Sequence, residues 1–167
     1  MNPLVKIDVK TSLGSFVLEL DSEKAPITVE NFVEYVRTGH FDGTIVHRVI
    51  PAFVIQGGGH EPTMNQKKTR PPIQNESSNG LKNVRGSISM ARTSDPHSAT
   101  SQFFINLADN ASLNPGPGNA GYAVFGMVTH GMDVIDAIAK VKTGSHGHHR
   151  DVPTEPVLVE FMKVAAE

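Results

Sequence analysis

The chain has no cysteine. Disulfide staples and thiol catalysis are therefore excluded, and its compartment cannot be read from redox chemistry. It also lacks a dominant charge: 15 Lys and Arg against 17 Asp and Glu give −2 at pH 7, which offers no field for nucleic acid. The one basic run, Lys67-Lys-Thr-Arg70, reads as a solvated loop. No internal repeat, low-complexity segment or composition break divides the 167 residues. That length suits one domain, 1–167, able to bury a sizeable core. The opening Met1-Asn-Pro-Leu-Val-Lys-Ile-Asp-Val-Lys10 has neither the basic start nor the long apolar run of a signal peptide and reads as a strand. A cytoplasmic, monomeric protein with no membrane partner is expected, although a mature periplasmic form given a new methionine would read alike. Gly57-Gly-Gly59 has no Lys-Ser/Thr pair directly after it, so it permits a tight turn rather than cradling phosphate, and no Gly-x-Ser-x-Gly elbow marks a serine hydrolase.

Short strand-like runs fill most of the chain. Val5 to Lys10 and Ser15 to Leu20, separated by Thr11-Ser-Leu-Gly14, predict an opening hairpin. Pro26 suits a first helical turn, and Val29, Phe32, Val33 and Val36 recur at helical spacing until Gly39. Later glycines and prolines punctuate further strands, with Gly131 to Val141 the second helical segment and Val157 to Val164 a final strand. Many strands and two helices argue for an all-β barrel or sandwich with helices at its open ends. Periodicity does not choose between the two.

Two blocks carry polar groups where a core has no use for them. Val46-His-Arg-Val-Ile-Pro-Ala-Phe-Val-Ile-Gln-Gly-Gly-Gly59 sets Arg48, Phe53 and Gln56 within nine positions of strand-like sequence. An arginine on a rigid strand beside apolar groups is costly to desolvate and calls for a partner. From composition alone, that partner could be a surface carboxylate. In Ser98-Ala-Thr-Ser-Gln-Phe-Phe-Ile-Asn-Leu107, period two sends Phe103, Ile105 and Leu107 into a core. Gln102, Phe104 and Asn106 then share the other face, a polar-aromatic binding surface.

These blocks, with Gly80-Leu-Lys-Asn-Val-Arg-Gly-Ser-Ile-Ser-Met-Ala-Arg92 and Gly121-Tyr-Ala-Val-Phe-Gly126, resemble the cyclophilin family of peptidyl-prolyl isomerases over nearly the whole chain, most of all its small single-domain bacterial forms. The resemblance implies a mainly β fold: a closed antiparallel eight-stranded β-barrel capped by two α-helices, with the site on its outer face. It implies peptidyl-prolyl isomerisation of proline-containing peptides and client proteins, without a cofactor. Arg48 is then the donor to the twisted amide, and Phe53, Val54, Phe104 and Leu113 form the proline pocket. Gln56 and Gln102 hold the substrate backbone, Ala91 and Arg92 pair with the extended peptide, and Tyr122 stands where many relatives carry histidine. Ser112 replaces a frequent aromatic and Val54 a common methionine, so weak cyclosporin binding is expected.

Other readings compete for some of these residues. His146-Gly-His-His-Arg150, with His60 or His130, invites a metal site. It contains no helical i, i+4 pair and lies among glycines, so a solvated loop and no metal are expected. His47 points opposite to Arg48 and reads as a satisfied packing histidine. The rival function is a non-catalytic module that grips proline segments in the same pocket.

Overall fold

The computed structural model describes residues 4–165; residues 1–3 and 166–167, the two ends of the expected domain, lie outside them. Strands β1 (Leu4–Thr11) and β2 (Gly14–Asp21) form the predicted hairpin in continuous register from Leu4 opposite Asp21 to Thr11 opposite Gly14. Strict alternation sends Ile7 and Val9 of one, and Phe16, Leu18 and Leu20 of the other, into the core. Helix α1 (Pro26–Arg37) begins with its proline at the first turn and buries Val29, Phe32, Val33, Tyr35 and Val36. Phe32 is central: its ring lies 4.9 to 5.8 Å from those of Phe41, Phe125 and Phe103, within the range of favourable aromatic packing. No local signal marks what caps this helix. The Glu76 carboxylate, 48 residues away, accepts the Thr28 N–H and hydroxyl, each at 2.7 Å, and the Ile27 N–H at 3.3 Å. It meets orphan donors at the positive end of the helix.

The remaining strands are β3 (Val46–Ile50), β4 (Val54–Gly57), β5 (Ser87–Met90), β6 (Phe103–Asn106), β7 (Val124–His130), β8 (Thr143–His146), β9 (His149–Pro153) and β10 (Val159–Val164), with helix α2 (Met132–Ala139) before β8. Eight of the ten strands make one antiparallel sheet in the order β10-β1-β2-β7-β5-β6-β4-β3. The sheet curls around the core cluster, to which both helices contribute. It is not fully closed. Edge strands β10 and β3 meet only at their starting ends, where Val159 N–H bonds to Thr44 C=O at 2.7 Å and Val46 N–H to Val157 C=O at 2.9 Å. Beyond that corner β3 lies beside β9 instead. β9 pairs with β8 in a separate hairpin, so the segment His146 to Arg150 is its turn and strand rather than an irregular loop. On the opposite side β10 pairs with β1, Val164 facing Ile7, and Ala165 N–H bonds to Lys6 C=O at 2.9 Å.

Candidate active site

Three adjacent strands align the polar side chains by register alone. Arg48 of β3 stands opposite Gln56 of β4, and Gln56 stands opposite Phe104 of β6. Arg48 Nη1 donates to Gln56 Oε1 at 3.2 Å, and Gln56 Nε2 donates to Gln102 Oε1 at 2.9 Å. This chain fixes the orientation of the guanidinium without a carboxylate to neutralise it: among the described residues Arg48 has no ion-pair partner. The glycine run belongs to the same arrangement. A Cβ at Gly59 would come within 2.6 Å of Gln102 Cγ, so glycine there lets the end of the relay pack against the backbone.

A cavity of about 250 Å³ opens beside this relay. Phe53, Val54, Phe104 and Leu113 give it apolar walls, and Arg48, Gln56, Ala91, Arg92 and Tyr122 complete it. Gln102, expected at the site, stands behind Gln56 and acts on the cavity through it. Val54 and Phe104 are only 3 % and 4 % exposed, so they form a floor rather than a rim. Tyr122 meets Phe104 edge to face at 5.5 Å, and the Arg92 guanidinium lies 4.3 Å from the Tyr122 ring centre. Ala91 and Arg92 lie just past the end of β5, and Ala91 N–H is already bonded to Gln102 C=O at 3.0 Å.

The walls are tied together by buried amides. Asn106 was expected on the binding face, yet it is fully buried: its Nδ2 donates to Ser87 Oγ at 2.9 Å and to Asn83 Oδ1 at 3.1 Å. Alternation puts it on the side of Gln102 and Phe104, but Asn83 and Asn110 close over that end of the strand. Asn110 donates to Asn106 Oδ1 and to the Phe53 carbonyl. Asn83 Nδ2 donates to the Leu113 carbonyl at 3.2 Å, and Tyr122 N–H bonds to that same carbonyl at 2.9 Å. Asn83, Asn106 and Asn110 thus position three cavity walls. Only Asn83 and Asn106 lie within the sequence blocks above, and neither carried a signal for this role.

His47 occupies the face of β3 opposite to Arg48, as expected, with its ring 4.1 Å from that of His60. It is not satisfied, however, since Nδ1 of both rings is buried without a hydrogen-bond partner among the described residues. Burial, reinforced by neighbouring His60, His149 and Arg48, pushes the His47 pKa down to about 3, so the ring is neutral at physiological pH. His149 of β9 approaches His60 at 5.5 Å.

Residues 6–164 match the family model described as cyclophilin type peptidyl-prolyl cis-trans isomerase/CLD. The chain belongs to the cyclophilins. Among curated relatives, a peptidyl-prolyl cis-trans isomerase of Streptomyces antibioticus is 59% identical over 161 residues, covering 95% of this chain and 97% of that one. Peptidyl-prolyl cis-trans isomerase B of Escherichia coli is 52% identical, covering 93% and 96%. A cyclophilin type peptidyl-prolyl cis-trans isomerase of Cryptosporidium parvum, 25% identical, superposes with a TM-score of 0.82 over 97% of this chain and 99% of that one, and its crystal structure was determined with the dipeptide Ala-Pro. The curled eight-stranded sheet with two helices is thus the cyclophilin fold, and peptidyl-prolyl isomerisation is the activity of this cyclophilin. No helix among the described residues is long and apolar enough to cross a membrane.

Proposed function

We propose that this cyclophilin isomerises X-Pro bonds in peptides and client proteins by seating the proline ring on Val54 and Phe104, between Phe53 and Leu113, under the Arg48 guanidinium. Amide resonance sets a barrier of ~18–20 kcal/mol to this rotation. Turnover of about 10–1,000 per second needs roughly 4–7 kcal/mol of preferential binding to the twisted amide. In that state the prolyl nitrogen regains a lone pair, and a preorganised cation beside it stabilises the twisted form more than the planar one. The observation that carries this reading is the Arg48 to Gln56 to Gln102 relay, which holds an unneutralised guanidinium beside the apolar wall of the cavity. Gln56 also offers its amide to the substrate backbone, and Ala91 and Arg92 flank the extended chain. Rotation transfers neither electrons nor groups, so the mechanism uses no cofactor or metal. That the Cryptosporidium relative was crystallised in the presence of the dipeptide Ala-Pro supports proline peptides as ligands.

The deciding experiment is NMR exchange of an Ala-Pro peptide with wild type and Arg48→Ala. Wild-type acceleration that collapses in a folded variant supports the mechanism. Peptide binding with no acceleration by wild type would move the protein to the rival reading, a binding module, and equal acceleration by both would remove Arg48 from its role. The same proposal includes a monomeric, single-domain, cytoplasmic protein, open to test by light scattering and by cell fractionation. It also includes weak cyclosporin binding, because Ser112 is an exposed, small residue beside Leu113.

A further inference from the structure

Arg92 differs from the other polar residues of the cavity in how it is held. Its Nε and Nη2 donate to the Gly121 carbonyl at 3.2 and 2.9 Å, and its Nη1 donates to the Thr93 carbonyl at 2.8 Å. Gly121 can aim that carbonyl because it turns at φ +72, where a Cβ would come 2.5 Å from Pro115 N. The aromatic pair Tyr122 and Phe104 backs the guanidinium plane. Both acceptors are neutral carbonyls, and among the described residues Arg92 has no carboxylate partner. Arg48 is equally unpaired, and the cavity wall contains two arginines and no Asp or Glu.

A guanidinium carries five N–H donors in a fixed fork. Three are committed here, leaving one N–H on each terminal nitrogen free to donate to a carboxylate. We propose that Arg92 forms a carboxylate-binding subsite beside the proline pocket, so that this isomerase favours proline peptides with an acidic group next to the proline. The inference rests on the isomerase reading above and names its substrate class. Because the side chain is already immobilised, gripping a carboxylate costs little ordering entropy, and the absence of a resident carboxylate leaves nothing to displace. The acidic group is either an Asp or Glu side chain or the free C-terminal carboxylate of a peptide ending shortly after proline.

The test compares kcat/KM for amidated peptides carrying Glu, Gln or Lys in turn at the two positions before and the two after proline, and for free-acid and amidated forms of a peptide ending in proline. At low salt, Glu should exceed Gln by about threefold to tenfold at one position or more, or the free acid should exceed the amide, with Lys below Gln. The first pattern identifies a side chain as the source, and the second a chain terminus. In Arg92→Gln the ratio should fall to about one, and in Arg92→Lys it should partly return; using the ratio cancels any general loss of turnover. Should Arg92→Gln fail to fold, the wild-type guanidinium resonances of Arg92 should shift on titration with the Glu peptide and not with its Gln counterpart. Flat ratios at every position, a ratio unchanged by Arg92→Gln, or Arg92 resonances that ignore the acidic peptide overturn the inference. Wild type that accelerates all peptides equally sinks only this subsite, whereas wild type that accelerates none sinks the isomerase reading itself.

Discussion

At the residue scale the site divides between one charge and the groups that aim it. Arg48→Ala should lower kcat/KM by about a hundredfold to a thousandfold, the usual cost of removing a preorganised donor from a transition state, with an unchanged circular dichroism spectrum. Gln56→Ala, which removes a neutral hydrogen bond and loosens the guanidinium, should cost only about threefold to tenfold. Ser112→Trp should tighten cyclosporin by about thirtyfold or more in titration calorimetry, because a buried tryptophan is the commonest kind of interface anchor. Arg48, Phe53 and Gln56 are legible together because they fall within nine positions of one hairpin, where register sets Arg48 opposite Gln56 and Phe53 sits in the connecting turn. Asn106 was misread for a physical reason. Period two tells which side of a strand a residue takes, but not what the rest of the chain lays over that side, and here Asn83, 23 residues away, and Asn110, just past the strand, close over it.

At the scale of elements, the same distance in sequence hides the supports. The Glu76 cap on α1 comes from a loop with no helical signal of its own, so no local capping rule could find it. Glu76→Gln keeps the shape and weakens the charge; it should destabilise the protein by about 1 kcal/mol, read from urea unfolding, with activity unaffected at saturating substrate. Asn83→Ala should cost about 1–3 kcal/mol by stranding buried partners. It should also raise KM, because the Leu113 and Tyr122 walls lose a shared anchor. The hairpin β1–β2 and both helices were readable from periodicity. β8 and β9 were not, because Thr143-Gly-Ser-His146 has neither alternation nor apolar content, and their pairing comes from the turn at Gly147 and from packing against β3.

For the whole molecule, the run of short strands with two helices pointed to the β-rich class and the resemblance to the barrel, but the extent of closure depends on which neighbour β3 takes, a long-range choice between β9 and β10. Acid sensitivity belongs to this scale as well. In the unfolded chain His47 takes up a proton below about pH 6.5, whereas in the fold its pKa is about 3. Between those values the unfolded state binds more protons, so stability is full above about pH 6.5 and falls as pH drops, by up to about 1.4 kcal/mol per unit. His60, lowered by burial in the same cluster, adds to the loss. Urea midpoints at pH 7.5 and 5 should therefore differ clearly in wild type and by less in His47→Leu. The pairing of β1 with β10 has another consequence. Since Lys6 and Ala165 are hydrogen-bonded neighbours, the path by which the backbone tours the sheet can be rewired without disturbing the sheet itself. A few-residue linker joining β10 to β1 at this pair, with new ends opened at the exposed Gly147, gives a circular permutant of the sheet. Every ladder that frames the pocket would survive in it, and only the order of assembly would change.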